Sequence, residues 1–226
     1  EKARRLGDQL PPSRRLRLLD LRTRRLKRLG EMDLAEAALE EGLRLAEEAN
    51  EPRWVAFFIK GLGSLRLVQG RYDDSEVYLL RYLRLAKASL DSQELASACR
   101  LLGDVCALRG DHEASIGHFE KALSVAERIG PGAKERAAIL NGLGIAYEML
   151  GDYERSRACL DEQIAIREAC GDEIGIGIAL CNLGALHMAQ GHWDEAEHVW
   201  RQALKRARAW GDRAEEARLT SNLGLV

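Results

Sequence analysis

The chain has 226 residues, enough for one or two ordinary domains or one longer repeat array. Hydrophobic residues make up 46% and charged residues 31%, which excludes a disordered chain that cannot build a core. Aromatics at 5% and only four prolines favour helices over a β-sandwich or barrel, and a net charge of −2 gives no global pull towards nucleic acid or an acidic membrane.

Residues 1–9 read like the end of a second helix and its turn, by comparison with Ala207-Arg208-Ala209-Trp210-Gly211-Asp212. Residues 1–12 are therefore expected to be the end of a preceding helix and a linker. The next helix is basic. Residues 1–30 hold 11 Lys+Arg against 3 Asp+Glu, a net of +8 that leaves −10 for the rest of the chain. Arg14, Arg17, Arg24 and Arg28 recur at helical spacing, so one face of that helix carries the charge.

From there a pattern repeats: Leu-Gly, six residues, Gly, then a polar turn. It reads Leu62-Gly63 to Gly70, Leu102-Gly103 to Gly110, Leu143-Gly144 to Gly151 and Leu183-Gly184 to Gly191, with Leu223-Gly224 as a fifth start. The first glycines are 40, 41, 40 and 40 residues apart. A second break follows at Asn50, Leu90, Gly130, Gly171 and Gly211. The extra residue falls beside the Gly130-Pro131-Gly132 turn, where insertions are tolerated. The spacing predicts helix pairs over about 13–50, 51–90, 91–130, 131–171 and 172–211, and a partial sixth over 212–226. The chain stops inside a first helix, so both ends are expected to be cuts within a longer array.

Helix starts are marked by Asp33, Asp73, Asp111, Asp152 and Asp194 in one turn, and by Asp91, Asp172 and Asp212 in the other. An Asp there can accept from the unsatisfied N–H groups of a helix N-terminus. The preceding glycines suit the left-handed residue that ends a helix. Gly63, Gly103, Gly144 and Gly184 lie inside helices, where glycine costs roughly 0.5–1 kcal/mol relative to Ala. Their recurrence predicts close helix approach at those points.

No catalytic, cofactor or metal site is expected. Gly61-Leu62-Gly63 and Gly142-Leu143-Gly144 lack the third glycine and the strand of a dinucleotide loop. His187, His192 and His198 do not share a helical face as an i, i+4 metal pair does, and Cys99 and Cys106 sit two turns apart. Five cysteines without a CxxC indicate thiols in helical cores of a reducing cytosol, hence a cytoplasmic location. Ile174–Trp193 carries no charged residue, but its polar side chains, its glycines and its repeat phase argue against a membrane span.

The pattern resembles the tetratricopeptide repeat. That signature has Leu-Gly and an aromatic in the first helix, and a small residue and a large apolar one in the second. Tyr147 matches the first-helix aromatic, where Arg66, Cys106 and His187 stand elsewhere. Ala35, Ser75, Ser115, Ser156 and Ala196 match the small residue, and Leu39, Leu79, Phe119, Leu160 and Trp200 the large one. The 40-residue period looks like the long-helix variant of kinesin light chains, spindle-orientation adaptors and bacterial signalling regulators.

The resemblance implies an all-α, right-handed superhelical solenoid without enzymatic activity. It also implies a concave face, lined by the first helices, that binds a protein or peptide. The family's contact positions fall on Arg17, Arg24 and Arg28 in the first repeat, Lys60 and Ser64 in the second, and Arg100 and Asp104 in the third. They continue with Asn141, Ile145 and Glu148 in the fourth, Ile178, Asn182 and Met188 in the fifth, and Asn222 in the partial sixth. In the family, an Asn directly before Leu-Gly often holds a peptide backbone; the plainer reading is that Asn182 and Asn222 bridge neighbouring helices. These positions run from basic to apolar along the array, which suits a peptide of mixed character.

The Arg-rich, Lys-poor usage, 27 against 7, looks like the sensor or docking arm of a larger bacterial signalling or transcription-regulatory protein. The alternatives are a free-standing adaptor, and a regulatory array beside an enzyme domain such as a caspase-like protease. Another domain of the same polypeptide is a further candidate partner, as is a second copy meeting at the cut ends. Without interleaved aromatics the basic helix is not read as a nucleic-acid site.

Overall fold

The computed structural model describes residues 10–89, 91–129 and 133–225. The expected helix end at 1–9, the break at Leu90 and the Gly130-Pro131-Gly132 turn lie outside them. The described residues form eleven helices and no strand. They are α1 (Pro12–Leu29), α2 (Met32–Glu48), α3 (Pro52–Val68), α4 (Tyr72–Ser89), α5 (Ser92–Arg109), α6 (His112–Ile129), α7 (Ala133–Met149), α8 (Tyr153–Ala169), α9 (Glu173–Ala189), α10 (Trp193–Trp210) and α11 (Arg213–Leu223). The class is all-α, and the helix pairs follow the 40-residue period. Two compact units divide the chain within α5, one up to Val105 and one from Cys106.

The turns form for the reason the sequence suggests. Gly30, Gly70, Gly110, Gly151, Gly171, Gly191 and Gly211 all have positive φ, and at 50 an Asn takes the same conformation with φ 52°. After α1, the Gly30 and Glu31 N–H groups donate back to the Lys27 and Leu26 carbonyls, closing the helix end.

The helix starts only partly follow the Asp pattern. Asp152, Asp172 and Asp212 stand just outside their helices and accept from the backbone N–H three residues on. Asp91 and Asp111 accept in the same way. Asp33 and Asp194 instead lie within the first turns, behind Glu31 and His192, which make no side-chain cap bond. There they act on the helix dipole and do not cap.

In the first unit, Leu16, Leu19 and Leu26 of α1 pack with Ala35, Leu39 and Leu45 of α2 and Phe58, Leu62 and Leu65 of α3. Ile59, Leu79 and Tyr82 then pack with Ala98, Leu101, Leu102 and Val105 of α5. In the second, Ile176, Leu180 and Cys181 of α9 meet Ala196, Trp200, Ala203 and Ala207 of α10 and Leu219 of α11. Each large side chain removed from water contributes about 1.5–3 kcal/mol, so packing outweighs the cost of the helical glycines.

Those glycines mark close approach. A Cβ on Gly63 would sit 2.8 Å from Leu79, and one on Gly184 2.3 Å from Trp200. The small residues Ala35, Ser75, Ser115, Ser156 and Ala196 are all fully buried. The Ser75 hydroxyl donates to the Gly63 carbonyl at 2.8 Å, tying α4 to α3 where they are nearest.

Candidate functional site

In the first unit, Arg17, Arg24 and Arg28 are exposed on α1. Arg24 Nε donates to the buried Asp20 carboxylate at 2.7 Å, one turn away. Lys60 on α3 lies 3.9 Å from Glu94 of α5 and 5.5 Å from the centre of the Tyr82 ring, and the Tyr82 hydroxyl donates to Glu94. Ser64 is half-buried one turn further along α3. Arg100 Nη1 donates to Asp104 at 2.7 Å within α5. Arg24, Lys60 and Arg100 therefore already face carboxylates of their own chain. Summing arginines along the sequence overstates the positive field of this face.

In the second unit, three carboxamides converge. Asn141 Oδ1 on α7 accepts from Asn182 Nδ2 of α9 at 2.9 Å and from Gln163 Nε2 of α8 at 3.2 Å. Gln163 is fully buried, and its Oε1 has no partner among the described residues. One repeat on, Asn222 Nδ2 of α11 donates to Cys181 Sγ of α9 at 3.5 Å. Both bonds join residues 41 apart. The residue two before the helical glycine meets the residue three before it in the preceding repeat. Asn182 and Asn222 thus bridge neighbouring first helices. The Asn182 carbonyl and the Asn141 amino group make no further bond among the described residues.

Around this ladder the surface is apolar. Ile145 follows Asn141 by one turn and is 38% exposed, and Ile178 precedes Asn182 by one turn at 37%. Met188 is half-buried against the α9–α10 core. Glu148 lies on the same face as Asn141 and Ile145, two turns beyond Asn141. It is half-buried, and its side chain makes no hydrogen bond or ion pair among the described residues. Burial pushes its carboxyl above the ordinary glutamate value.

Gln163 and the bonds made from the first-helix aromatic position, whose residues the sequence does name, escaped the sequence reading. Gln163 recurs with no motif. At the aromatic position, Arg66 Nη1 donates to Glu36 of the preceding pair at 2.6 Å and to Gln69 at 3.0 Å, and Arg66 Nη2 bonds the other Glu36 oxygen. The Tyr147 hydroxyl donates to Glu120 at 3.2 Å, and the Arg155 guanidinium lies 4.5 Å from its ring centre. His187 Nε2 lies 3.4 Å from Arg157 Nη1. An arginine only donates, so this bond requires the tautomer in which Nε2 accepts; Nδ1 is buried and has no partner among the described residues. At this position Arg66, Tyr147 and His187 each tie a first helix to the second helix of the preceding pair. Their signal was a shared repeat phase, not a shared residue type.

Models of the tetratricopeptide repeat match residues 93–169 and 177–210. The chain carries tetratricopeptide repeats. BtubC (BKLC) from P. vanneervenii has a similar fold, with a TM-score of 0.76 at 22% identity over 93% of this chain and 87% of that one. Nearly identical TPR-like repeats assigned to a kinesin light chain of Podosopora anserina give 0.70 at 16%, over 89% and 98%. A Rap protein complexed with Competence and Sporulation Factor gives 0.83 at 17%, over 94% of this chain and 59% of that one. No curated protein sequence matches the chain. Among the described residues, no group of three or more His, Cys, Asp or Glu could hold a metal ion. No helix there is long and apolar enough to cross a membrane.

Proposed function

We propose that this tetratricopeptide array is a non-catalytic docking scaffold for a protein or peptide. The observation that carries the reading is the first-helix face of α7 and α9. It presents amides with unused hydrogen-bonding capacity between two half-exposed isoleucines, Ile145 and Ile178. An apolar patch with a few placed polar groups suits a peptide, whose backbone offers both donors and acceptors. The fold is shared with a Rap protein complexed with Competence and Sporulation Factor, which supports a docking role.

The finer reading is a sensor or docking arm of a larger bacterial signalling or transcription-regulatory protein. The Arg-rich usage and the Rap-like fold support it over a free-standing adaptor or an array beside a protease. Two experiments test the proposal. A random 12-residue peptide library is panned on the chain, with the Ile145→Asp/Ile178→Asp double variant as counter-target. Peptides held by the native chain and not by the variant are the expected result, and their absence overturns docking at this face. Reading the gene on both sides then decides the context. A kinase, ATPase or DNA-binding domain supports the regulatory arm, and only further repeats remove its basis.

A further inference from the structure

We infer that the α7–α9 face takes a segment with a Lys or Arg set among aliphatic side chains, and that Glu148 is the counter-charge for it. This rests on the docking reading above and names the chemistry of the ligand. Glu148 is a half-buried carboxylate with no cation, donor or cap among the described residues. Many charged groups among the described residues are matched locally, as Arg100 is by Asp104 and Arg167 by Asp172. A carboxylate that has lost part of its hydration and gained no partner is stabilised by an incoming cation more than a solvated one is.

Its position gives the cation its context. Asn141, Ile145 and Glu148 follow one another at i, i+4 and i+7, so they line one face of α7. The Asn182 bond fixes that face beside α9, where Ile178 stands one turn before Asn182. A second polar group here is also unsatisfied, because Gln163 Oε1 is buried without a donor directly behind Asn141. A ligand that donates to the Asn182 carbonyl, sets an aliphatic side chain against Ile145 or Ile178 and ends its reach with a cation at Glu148 would use the groups this face exposes. An acidic segment would bring like charge to Glu148 and is excluded.

Peptides recovered from the panning above serve as probes, measured by titration against the native chain, Glu148→Gln and Glu148→Lys. The expected peptides carry Lys or Arg beside aliphatic residues. Their affinity falls about tenfold with Glu148→Gln, and further with Glu148→Lys. Replacing the peptide's basic residue by Glu restores binding to Glu148→Lys. Raising the salt narrows the difference between the native chain and Glu148→Gln. Thermal unfolding within a degree or two of the native chain shows that both variants fold. Peptides that depend on Ile145 and Ile178 but show no basic preference, or ignore Glu148→Gln, overturn this inference and leave docking intact. If no peptide depends on the isoleucines, the docking reading falls and takes the inference with it.

Discussion

The Arg66 guanidinium on α3 grips the Glu36 carboxylate on α2 with both of its terminal nitrogens, and Gln69 closes the ring by accepting from Arg66 Nη1 and donating to Glu36. The side chains are 8% and 20% exposed. Breaking a pair this buried leaves one charge uncompensated, at a cost of about 3 kcal/mol, the low end of the range because Glu36 keeps some solvent contact. Arg66→Ala and Glu36→Ala should each lower the unfolding free energy by that amount, read as a fall in the urea midpoint at unchanged slope. The joint Arg66→Met/Glu36→Leu variant should recover most of the loss, because an apolar pair needs no compensating charge. A joint variant whose loss equals the sum of the two single losses would show that the residues act separately.

The same pair predicts an acid limb. Hydrogen bonding from Arg66 holds the Glu36 carboxyl below its ordinary value of 4.5. A depressed carboxyl contributes stability that is present above the unfolded value and is lost as the pH falls through the folded one. The native chain should therefore lose stability as the pH drops below about 4.5. Glu36→Gln, which has nothing to titrate, should start lower and lose less over that range. Parallel acid limbs in urea midpoints measured from pH 5 to 3 would rule the pair out as a source.

His187 acts in a milder range. Burial, then the neighbouring Arg157, pushes its imidazole below the ordinary 6.5. Between the folded value and 6.5 the unfolded chain binds a proton that the folded chain does not, so stability rises with pH in that window. The contribution is fully present above 6.5 and shrinks on acidification until the folded imidazole titrates. His187→Tyr, the residue that repeat four uses at this phase, should flatten the melting temperature between pH 7 and 5.5. An unchanged slope in the variant would place the titrating group elsewhere.

These ties show where the sequence is readable and where it is not. The period, the turns and the helical glycines are legible because each has a local cause. Gly30 or Gly151 needs a left-handed backbone, and Gly63 or Gly184 needs a partner side chain overhead. Arg66, Tyr147 and His187 share a position but no residue type, because each answers a different partner thirty or so residues back. The same holds for the α7–α9 face. Asn182 stands out beside Leu-Gly, but its bond to Asn141 depends on a 41-residue register between helices. That Glu148 makes no pair among the described residues while Lys60 and Arg100 do follows from which side chains reach them in the folded chain. Residue type alone does not carry this.

The helical glycines yield a graded prediction, because one substitution meets three surroundings. At Gly184 a new Cβ would lie 2.3 Å from Trp200 Nε1. Trp200 is 1% exposed and donates to the Cys181 carbonyl at 3.0 Å, so it cannot swing aside without breaking that bond. Gly184→Ala should cost about 3 kcal/mol through overpacking, more than the helix gains from alanine. At Gly144 the nearest atoms belong to the Leu160 side chain at 3.2 Å, which yields by a few tenths of an ångström. Gly144→Ala should be close to neutral, the helical gain of up to about 1 kcal/mol offsetting the shift. At Gly177, also within α9, nothing lies within 4 Å. Gly177→Ala should stabilise the chain by roughly 0.5–1 kcal/mol, because only the backbone term remains. Urea unfolding of the three variants should give the order Gly177→Ala, native, Gly144→Ala, Gly184→Ala from most to least stable, the middle pair nearly coincident. A Gly184→Ala variant as stable as Gly177→Ala would mean that α9 and α10 do not approach as closely as the Trp200 contact requires.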